Sequence, residues 1–270
     1  MTEKIIRKIK SLPPLPESVR KVREICDNPE GTIRELVPIV KEDPMFTADI
    51  LKAANSPLYG FSRQITSIDQ AVALFGMGTI QGFAISYAVR QNFKIDLSPY
   101  NADNKRLQEV SSMQNALTFQ WGRPQVQTRQ AEMMTTSLLM ELGKAVASLV
   151  LEETGKAEAF SRRIAEAETL EETDAVEKEF LGITSEWIAA LMFKHWQFND
   201  DMIEMMRFVT TPEEAPEEIA KQTKILHVVK EAVPFTKPLC ESCVQNAYEK
   251  ADRFGLDAES LHEMIEKIPS

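Results

Sequence analysis

The side chains best suited to metal or nucleophilic chemistry are few in this chain of 270 residues, which has three histidines and three cysteines. The histidines are isolated from one another, and the sequence contains no His-Asp dipeptide. His262-Glu263-Met264-Ile265-Glu266 lacks the second histidine of a zinc-protease helix. The glycines of Gly76-Met77-Gly78-Thr79 follow no predicted strand, so they do not form a phosphate-binding loop. No known catalytic motif is present.

The cysteines Cys240 and Cys243 have the spacing of a metal-binding pair, and His227 lies upstream of them. A tetrahedral zinc site would still need a fourth ligand, which only the distant Cys26 or another histidine could supply. Both cysteines of the pair fit an apolar helix stripe equally well. Because the number of cysteines is odd and no secretory context is evident, we expect reduced thiols. Because a fourth ligand is lacking and the pair fits a helix stripe, we predict no metal, and we predict no cofactor.

The charge of the chain is unevenly distributed. Its net charge is −10, and residues 152–179 hold ten acidic against four basic side chains. Residues 1–24 have the opposite balance, with seven basic and three acidic side chains. The acidic segment disfavours a nucleic-acid surface, because phosphate binding needs clustered lysine and arginine. The basic segment fits a solvated helix face, or a docking patch for an acidic partner.

The apolar pattern predicts helices throughout. Apolar residues recur at i, i+3, i+4 and i+7, while no segment alternates with period 2 for long enough to predict a sheet. No apolar run approaches the roughly 18 residues needed to cross a membrane. The N-terminus resembles a short amphipathic helix and lacks the features of a secretory signal. We therefore predict an all-α, compact multi-helical bundle of about a dozen helices, located in the cytoplasm.

The segment from Asp43 to Gly60 is the most informative part of the sequence. Asp43 can cap the free amides of a helix whose first residue is Pro44. The helix should end at Asn55-Ser56-Pro57, because the residue before a proline is disfavoured in the α region. Two further start signals flank this segment, namely capping boxes at Thr32 with Glu35 and at Ser67 with Gln70.

This order of motifs closely resembles the HDOD family, the HD-related output domain of bacterial signalling proteins. The family pattern reads DP-x-L, then ANS-x-x-YG, then I-x-SI-x-x-AI-x-x-LG, and its members carry a segment like Leu12-Pro13-Pro14-Leu15-Pro16 at the entrance. The match is specific over residues 12–92, weaker to about residue 210 and not recognisable beyond. The resemblance implies an HD-domain, PDEase-like fold that usually lacks the metal ligands of the related phosphohydrolases.

The resemblance also indicates where metal ligands would lie. The His-Asp dipeptide position reads Met140-Glu141, and the earlier histidine is replaced near Ser111. Later positions that bear histidine in metal-binding relatives read Ser185-Glu186 and Phe208-Val209. One carboxylate cannot replace two imidazoles and a second carboxylate around a transition metal.

Four residues are candidates for contact with a partner or ligand. Ser111 and Glu141 would line the former metal pocket, and Asn55 and Tyr59 belong to the family motif. Structural roles are the competing interpretation for the last two. Asn55 would hold its turn closed through backbone bonds, and the Tyr59 hydroxyl would find a loop carbonyl.

The sequence therefore predicts an HDOD-like domain over residues 1–211 and a helical extension packed on it over residues 212–270. The function implied is a non-catalytic regulatory module of signal transduction that binds another signalling protein or a small effector, with no nucleic acid and no membrane. The alternative is a divergent metal-dependent phosphohydrolase acting on nucleotides or cyclic dinucleotides. A third is a structural protein that organises partners without a switched state. Metal content after purification separates the enzyme from the others.

Overall fold

The structure, a computed structural model, describes residues 1–92 and 95–268, and these residues form α-helices and short helical turns with no strand among them. The α-helices are α1 (Thr2–Lys10), α2 (Glu17–Asp27), α3 (Ile33–Lys41), α4 (Pro44–Ala54), α5 (Ile68–Asn92), α6 (Asn104–Leu117), α7 (Gln130–Leu139), α8 (Gly143–Glu153), α9 (Ala157–Glu166), α10 (Leu170–Leu181), α11 (Ser185–His195), α12 (Asp200–Phe208), α13 (Ala220–Ala232), α14 (Glu241–Arg253) and α15 (Ala258–Glu266). The all-α prediction is confirmed.

The predicted helix starts at Thr32 and Asp43 are also confirmed. At the start of α5 the Gln70 amide donates to the Ser67 hydroxyl oxygen at 3.3 Å, but the Gln70 side chain accepts from the Thr66 amide, so the predicted box of Ser67 with Gln70 is only half formed. The Asp43 carboxylate accepts hydrogen bonds from the amides of Met45 and Phe46, 2.9 and 3.0 Å away, with Pro44 at the first position of α4. Thr32 and Glu35 form the reciprocal capping box of α3. These starts depend on residues within one turn, which is why the local sequence is sufficient to locate them.

The α4–α5 connection is closed by Asn55. Its side-chain amide donates to the carbonyls of Leu51 and Ile65, each at 2.8 Å, and its oxygen accepts from the Ile65 amide at 2.9 Å. The predicted bonds of Asn55 to the backbone are present, but they join α4 to Ile65 and do not close the turn from Asn55 to Gly60.

The prediction that the Tyr59 hydroxyl bonds a loop carbonyl was wrong. Its hydroxyl donates to the side-chain oxygen of Asn115 on α6, at 2.8 Å, and not to a loop carbonyl. The reason is packing: the ring is 3% exposed and contacts Phe75 edge-on, which directs the hydroxyl towards α6.

The centre of the molecule is formed by α5, α7 and α8. Helix α5 bends at Gly76, whose φ of 77° is readily available only to glycine, and its second half packs along α7. Helix α8 begins where the chain comes closest to α11, since a Cβ on Gly143 would lie 1.8 Å from the Ser185 carbonyl oxygen. This close approach brings the start of α8 to the start of α11, where the buried charges described below are found.

Among the residues that the structure describes, two stretches are long and apolar enough to cross a membrane, Ile68–Gln91 and Gln130–Glu153. Their apolar windows are 61% and 94% buried inside the fold. That degree of burial is typical of the core helices of a globular protein.

We expect the substitution Tyr59→Phe to lower the free energy of unfolding by about 1–3 kcal/mol, because it leaves the buried Asn115 oxygen without its donor. Urea unfolding measures the change. The control is Tyr248→Phe, which removes a hydroxyl bonded to the exposed His262 and should change stability by less than about 0.5 kcal/mol. Equal effects of the two substitutions would contradict the assigned role of Tyr59.

Candidate functional site

Glu141 lies in the turn between α7 and α8 and is completely buried. Two lysine ammonium groups contact its carboxylate, Lys144 at 2.8 Å and Lys230 at 2.5 Å. The side-chain amide of Gln114 on α6 donates a third bond at 2.7 Å. The acid at the expected dipeptide position is therefore fully engaged by cations of the protein itself.

Two more buried acids surround the lysines. Glu186 on α11 lies 3.0 Å from Lys230 and 3.7 Å from Lys144, and Glu177 on α10 lies 3.7 Å from Lys144. We call Glu141, Lys144, Glu177, Glu186 and Lys230 the buried ion cluster. Its five members come from the α7–α8 turn and from four helices.

Neutral groups add hydrogen bonds to the buried ion cluster. Ser185 accepts from Lys144 at 2.9 Å and donates its backbone amide to Glu177 at 2.5 Å. The Tyr100 hydroxyl donates to Glu177 at 2.9 Å. Buried charge is tolerated only when such partners replace the lost water.

Glu141 and Lys144 are both kept charged by their neighbours in the buried ion cluster. Burial by itself would raise the pKa of Glu141, but the ammonium groups of Lys144 and Lys230 outweigh it and hold that pKa at about 2. Burial likewise opposes the charge of Lys144, while the carboxylates of Glu141, Glu177 and Glu186 raise its pKa well above the usual value. Both groups are therefore ionised at neutral pH.

Asp174 lies beside the buried ion cluster, in which three carboxylates face two ammonium groups. Burial, followed by the neighbouring carboxylates of Glu186 and Glu177, raises the pKa of Asp174 to about 8. The acid oxygens of these three residues lie within 4.8 Å of one another, close enough to hold a cation. A divalent ion there would meet the ammonium groups of Lys144 and Lys230, so protonation of Asp174 is the less costly way to relieve the excess charge.

Ser111 lies apart from Glu141. It is buried on α6 and lines a cavity of about 290 Å³ together with residues of α4, α5 and α7. Tyr59 lines the same cavity, whereas Glu141 is not among the lining residues and Asn55 lies in a neighbouring surface hollow. The α6 side chain that reaches Glu141 is Gln114, one turn after Ser111.

The cavity has an apolar floor and a charged rim. Its floor includes Phe46, Phe83 and Leu138. At the rim Arg90 pairs with Asp49 at 2.7 Å. Further rim residues are Lys52, Lys105, Glu109, Ser86 and Ser112. Such a lining suits a small molecule with an apolar part and an anionic part.

The sequence interpretation missed the acids of α10 because it considered residues 152–179 only as a net acidic charge that disfavours nucleic-acid binding. Asp174 and Glu177 follow Leu170 at i+4 and i+7 and precede Leu181 at the same spacing, so they share the buried face of α10. Helical periodicity would therefore have revealed them.

The two oppositely charged segments also meet each other, since Lys8 of α1 pairs with Glu153 at 2.9 Å. Part of the basic N-terminal charge is thus neutralised within the molecule, and Arg20 pairs with Glu17 and Glu24 of its own helix.

We expect Asp174→Asn to flatten the pH dependence of stability. The pKa of Asp174 is about 8 in the folded protein against an ordinary value of 3.8. The folded state therefore holds a proton that the unfolded chain has lost, and this contribution to stability disappears as pH rises from about 4 to about 8. At pH 8.5 the variant should exceed the wild type by roughly 1–3 kcal/mol.

The measurement is urea unfolding between pH 5 and 9. The groups that face Asp174 are Glu177, Glu186, Lys230 and the Thr210 hydroxyl, and they are unchanged in the variant. The control is Asp252→Asn on the exposed face of α14, which should leave the wild-type profile intact. Parallel profiles for Asp174→Asn and the wild type would contradict the buried proton.

Comparison with known proteins agrees with this architecture. Residues 12–212 match the HDOD domain family. A virulence factor of Campylobacter jejuni is 27% identical and covers 99% of this chain and 100% of its own, with a TM-score of 0.59. An uncharacterized protein of Treponema pallidum is 26% identical over 82 residues, and the chain spans only 16% of that protein.

Two further solved structures share the fold. A Shewanella amazonensis protein provisionally named a phosphohydrolase is 23% identical, with a TM-score of 0.68 and coverage of 98% of this chain and 93% of its own. A Marinobacter aquaeolei protein provisionally named a signal transduction protein is 22% identical, with a TM-score of 0.67 and coverage of 96% and 57%. The family match extends over well more than half of the chain, and the chain therefore belongs to the HDOD domain family.

Proposed function

We propose that this HDOD protein is a cytoplasmic, bacterial regulatory module of signal transduction that performs no hydrolysis and binds a partner protein or a small effector. The observation that carries the proposal is the pairing of Glu141 with Lys144 and Lys230. A metal-dependent phosphohydrolase needs this acid free to hold a divalent ion that activates water. Here two ammonium groups take that place.

The histidines support the same conclusion. His227 contacts the Val209 carbonyl through Nδ1 at 2.8 Å, and His262 contacts the Tyr248 hydroxyl at 2.9 Å. His195 lies at the end of α11 and lines a surface hollow beside Trp196. In the part of the chain that the structure describes, no imidazole contacts Glu141, so the nitrogen ligands of a transition metal are not gathered there.

The second part of the proposal is that a small effector binds in the cavity beside Ser111. The cavity has the size of a small-molecule site, and its rim combines Lys52, Arg90 and Lys105 with serine hydroxyls. Arg90 is paired with Asp49 and Lys105 with Glu109, 3.3 Å away, so the rim keeps one net positive charge. That charge and the hydroxyl groups above an apolar floor favour a nucleotide-like anion, in which an apolar ring is joined to phosphate.

The competing function is metal-dependent phosphohydrolysis. It is favoured by the oxygens of Asp174, Glu177 and Glu186, which lie within 4.8 Å of one another and would suit Mg²⁺ or Mn²⁺. Two of the three acids are already paired with lysines, which is why we place this function second.

We expect the purified protein, after growth with added manganese, iron, zinc and nickel, to contain no stoichiometric metal. We also expect no metal-dependent hydrolysis of p-nitrophenyl phosphate, bis-p-nitrophenyl phosphate or cyclic dinucleotides, because Glu141 is held by lysines. Elemental analysis and product chromatography check both. One metal per chain that is lost in Glu141→Gln, together with hydrolysis, would establish the phosphohydrolase instead.

We expect a nucleotide or cyclic dinucleotide to raise the melting temperature of the wild type and not of Ser112→Trp, whose indole would fill the cavity. Thermal-shift measurements across a panel of these compounds, followed by calorimetry, test this. The control is Gln245→Trp on the exposed face of α14, which should bind as the wild type does. Equal binding by Ser112→Trp would show that the effector does not use this cavity.

A further inference from the structure

The C-terminal part of the chain contains a second group of reactive side chains, outside the buried ion cluster. Cys240 and Cys243 are joined by a disulfide at the start of α14, with their Cα atoms 5.0 Å apart. The expectation of three reduced thiols was therefore wrong for this pair, while Cys26 remains free. The pairing follows from local geometry, because Cys240 is the residue preceding the first turn of α14 and Cys243 is the third residue inside it.

The environment of Cys240 suits a reactive sulfur. Its Sγ occupies the capping position of the 13-residue helix α14 and accepts the backbone amide of Cys243 at 3.1 Å. The Ser242 hydroxyl lies 3.3 Å from the same sulfur. Cys240 is partly exposed to solvent. An amide donor and the positive end of a helix dipole stabilise a thiolate, which is the nucleophilic form of cysteine.

Cys243 has the complementary environment. It is 3% exposed, and its sulfur lies 3.5 Å from the Lys237 carbonyl oxygen, which can accept a hydrogen bond from the reduced thiol. One sulfur is thus accessible and the other is sheltered behind it. This is the arrangement in which an external thiol attacks one sulfur and the second resolves the product.

A structural role explains the disulfide poorly. Its two cysteines are three residues apart, and the stabilisation that a disulfide gives grows with the length of the loop that it closes. The bridge joins no separate elements, since both cysteines belong to the start of α14. Its position at an accessible helix start points to exchange chemistry.

We propose that Cys240 and Cys243 form a redox-active dithiol–disulfide site that exchanges with low-molecular-weight thiols. In the reductive direction a small thiolate attacks Cys240 Sγ, the Sγ–Sγ bond breaks, and Cys243 leaves as a thiolate that takes up a proton. A second small thiolate then attacks the mixed disulfide, releasing the small disulfide and the Cys240 thiolate. Two electrons pass from two small thiols to the protein, and the reverse sequence oxidises it.

The site adjoins the buried ion cluster through the segment that joins α13 to α14. The Leu239 amide donates to the Ala232 carbonyl at 2.9 Å, which closes this segment into a loop. Within it Phe235 is buried over the Lys144 ammonium, 5.5 Å from the ring centre, and the Val233 carbonyl accepts from Gln114 at 2.9 Å. The sulfur chemistry thus takes place at the end of a loop that covers the buried charges.

The test equilibrates the full chain with mixtures of reduced and oxidised glutathione, quenches with acid, alkylates with iodoacetamide, and maps each cysteine by mass spectrometry. We expect Cys240 and Cys243 to change together in one two-electron transition. In the reduced protein at pH 7, Cys240 should alkylate about tenfold or more faster than Cys243. Failure of the pair to form a disulfide in oxidised glutathione, or equal alkylation rates, would overturn the proposal.

Three variants sharpen the test. Cys243→Ser should accumulate a mixed disulfide between Cys240 and glutathione, because no second sulfur resolves it, and Cys240→Ser should accumulate far less on Cys243. Cys26→Ser is the matched control and should behave as the wild type, since burial and the neighbouring Asp27 charge raise the pKa of Cys26 to about 12. Equal mixed-disulfide formation in the first two variants would remove the distinction between the accessible and the sheltered sulfur.

Discussion

The buried pairing of Glu141 with Lys144 and Lys230 is the interaction on which the centre of this molecule depends. Removing charges from water costs several kcal/mol each, and only close opposite charges and hydrogen bonds offset that cost. Five elements must therefore bring their charged side chains into contact: the α7–α8 turn, α8, α10, α11 and α13. The contact of Gly143 with the Ser185 carbonyl allows that approach, since any larger residue would keep α8 and α11 apart.

This arrangement has a consequence for the chemistry that the fold can support. The residues that occupy the expected metal position are balanced by lysine and are closed off from solvent. The accessible cavity lies elsewhere, and helix α6 separates the two: Ser111 faces the cavity, while Gln114, one turn later, binds Glu141. The proposed binding cavity and the buried ion cluster therefore lie on different faces of α6.

Helix α13 shows that the end of the family match is not the end of the core. The match stops at residue 212, yet Lys230 contributes one of the two central cations and Val228 and Val229 are fully buried. The loop after α13 then covers Lys144 with Phe235 before it reaches Cys240 and Cys243. Helix α13 therefore completes the buried ion cluster, and the start of α14 carries the disulfide.

The sequence by itself determined the helices, their starts and the family, because caps such as Thr32 with Glu35 and Asp43 with Pro44 act within one turn. It also indicated the backbone bonds of Asn55, whose partners lie within ten residues. Only the tertiary structure decided the partners of the buried charges. Lys230 and Glu141 are 89 positions apart, and no local rule pairs them. The net charge of residues 152–179 does not show which of their acids are buried, whereas the fold places Asp174 and Glu177 in the core. The free energy of a charge depends on what surrounds it in space, which the folded chain alone specifies.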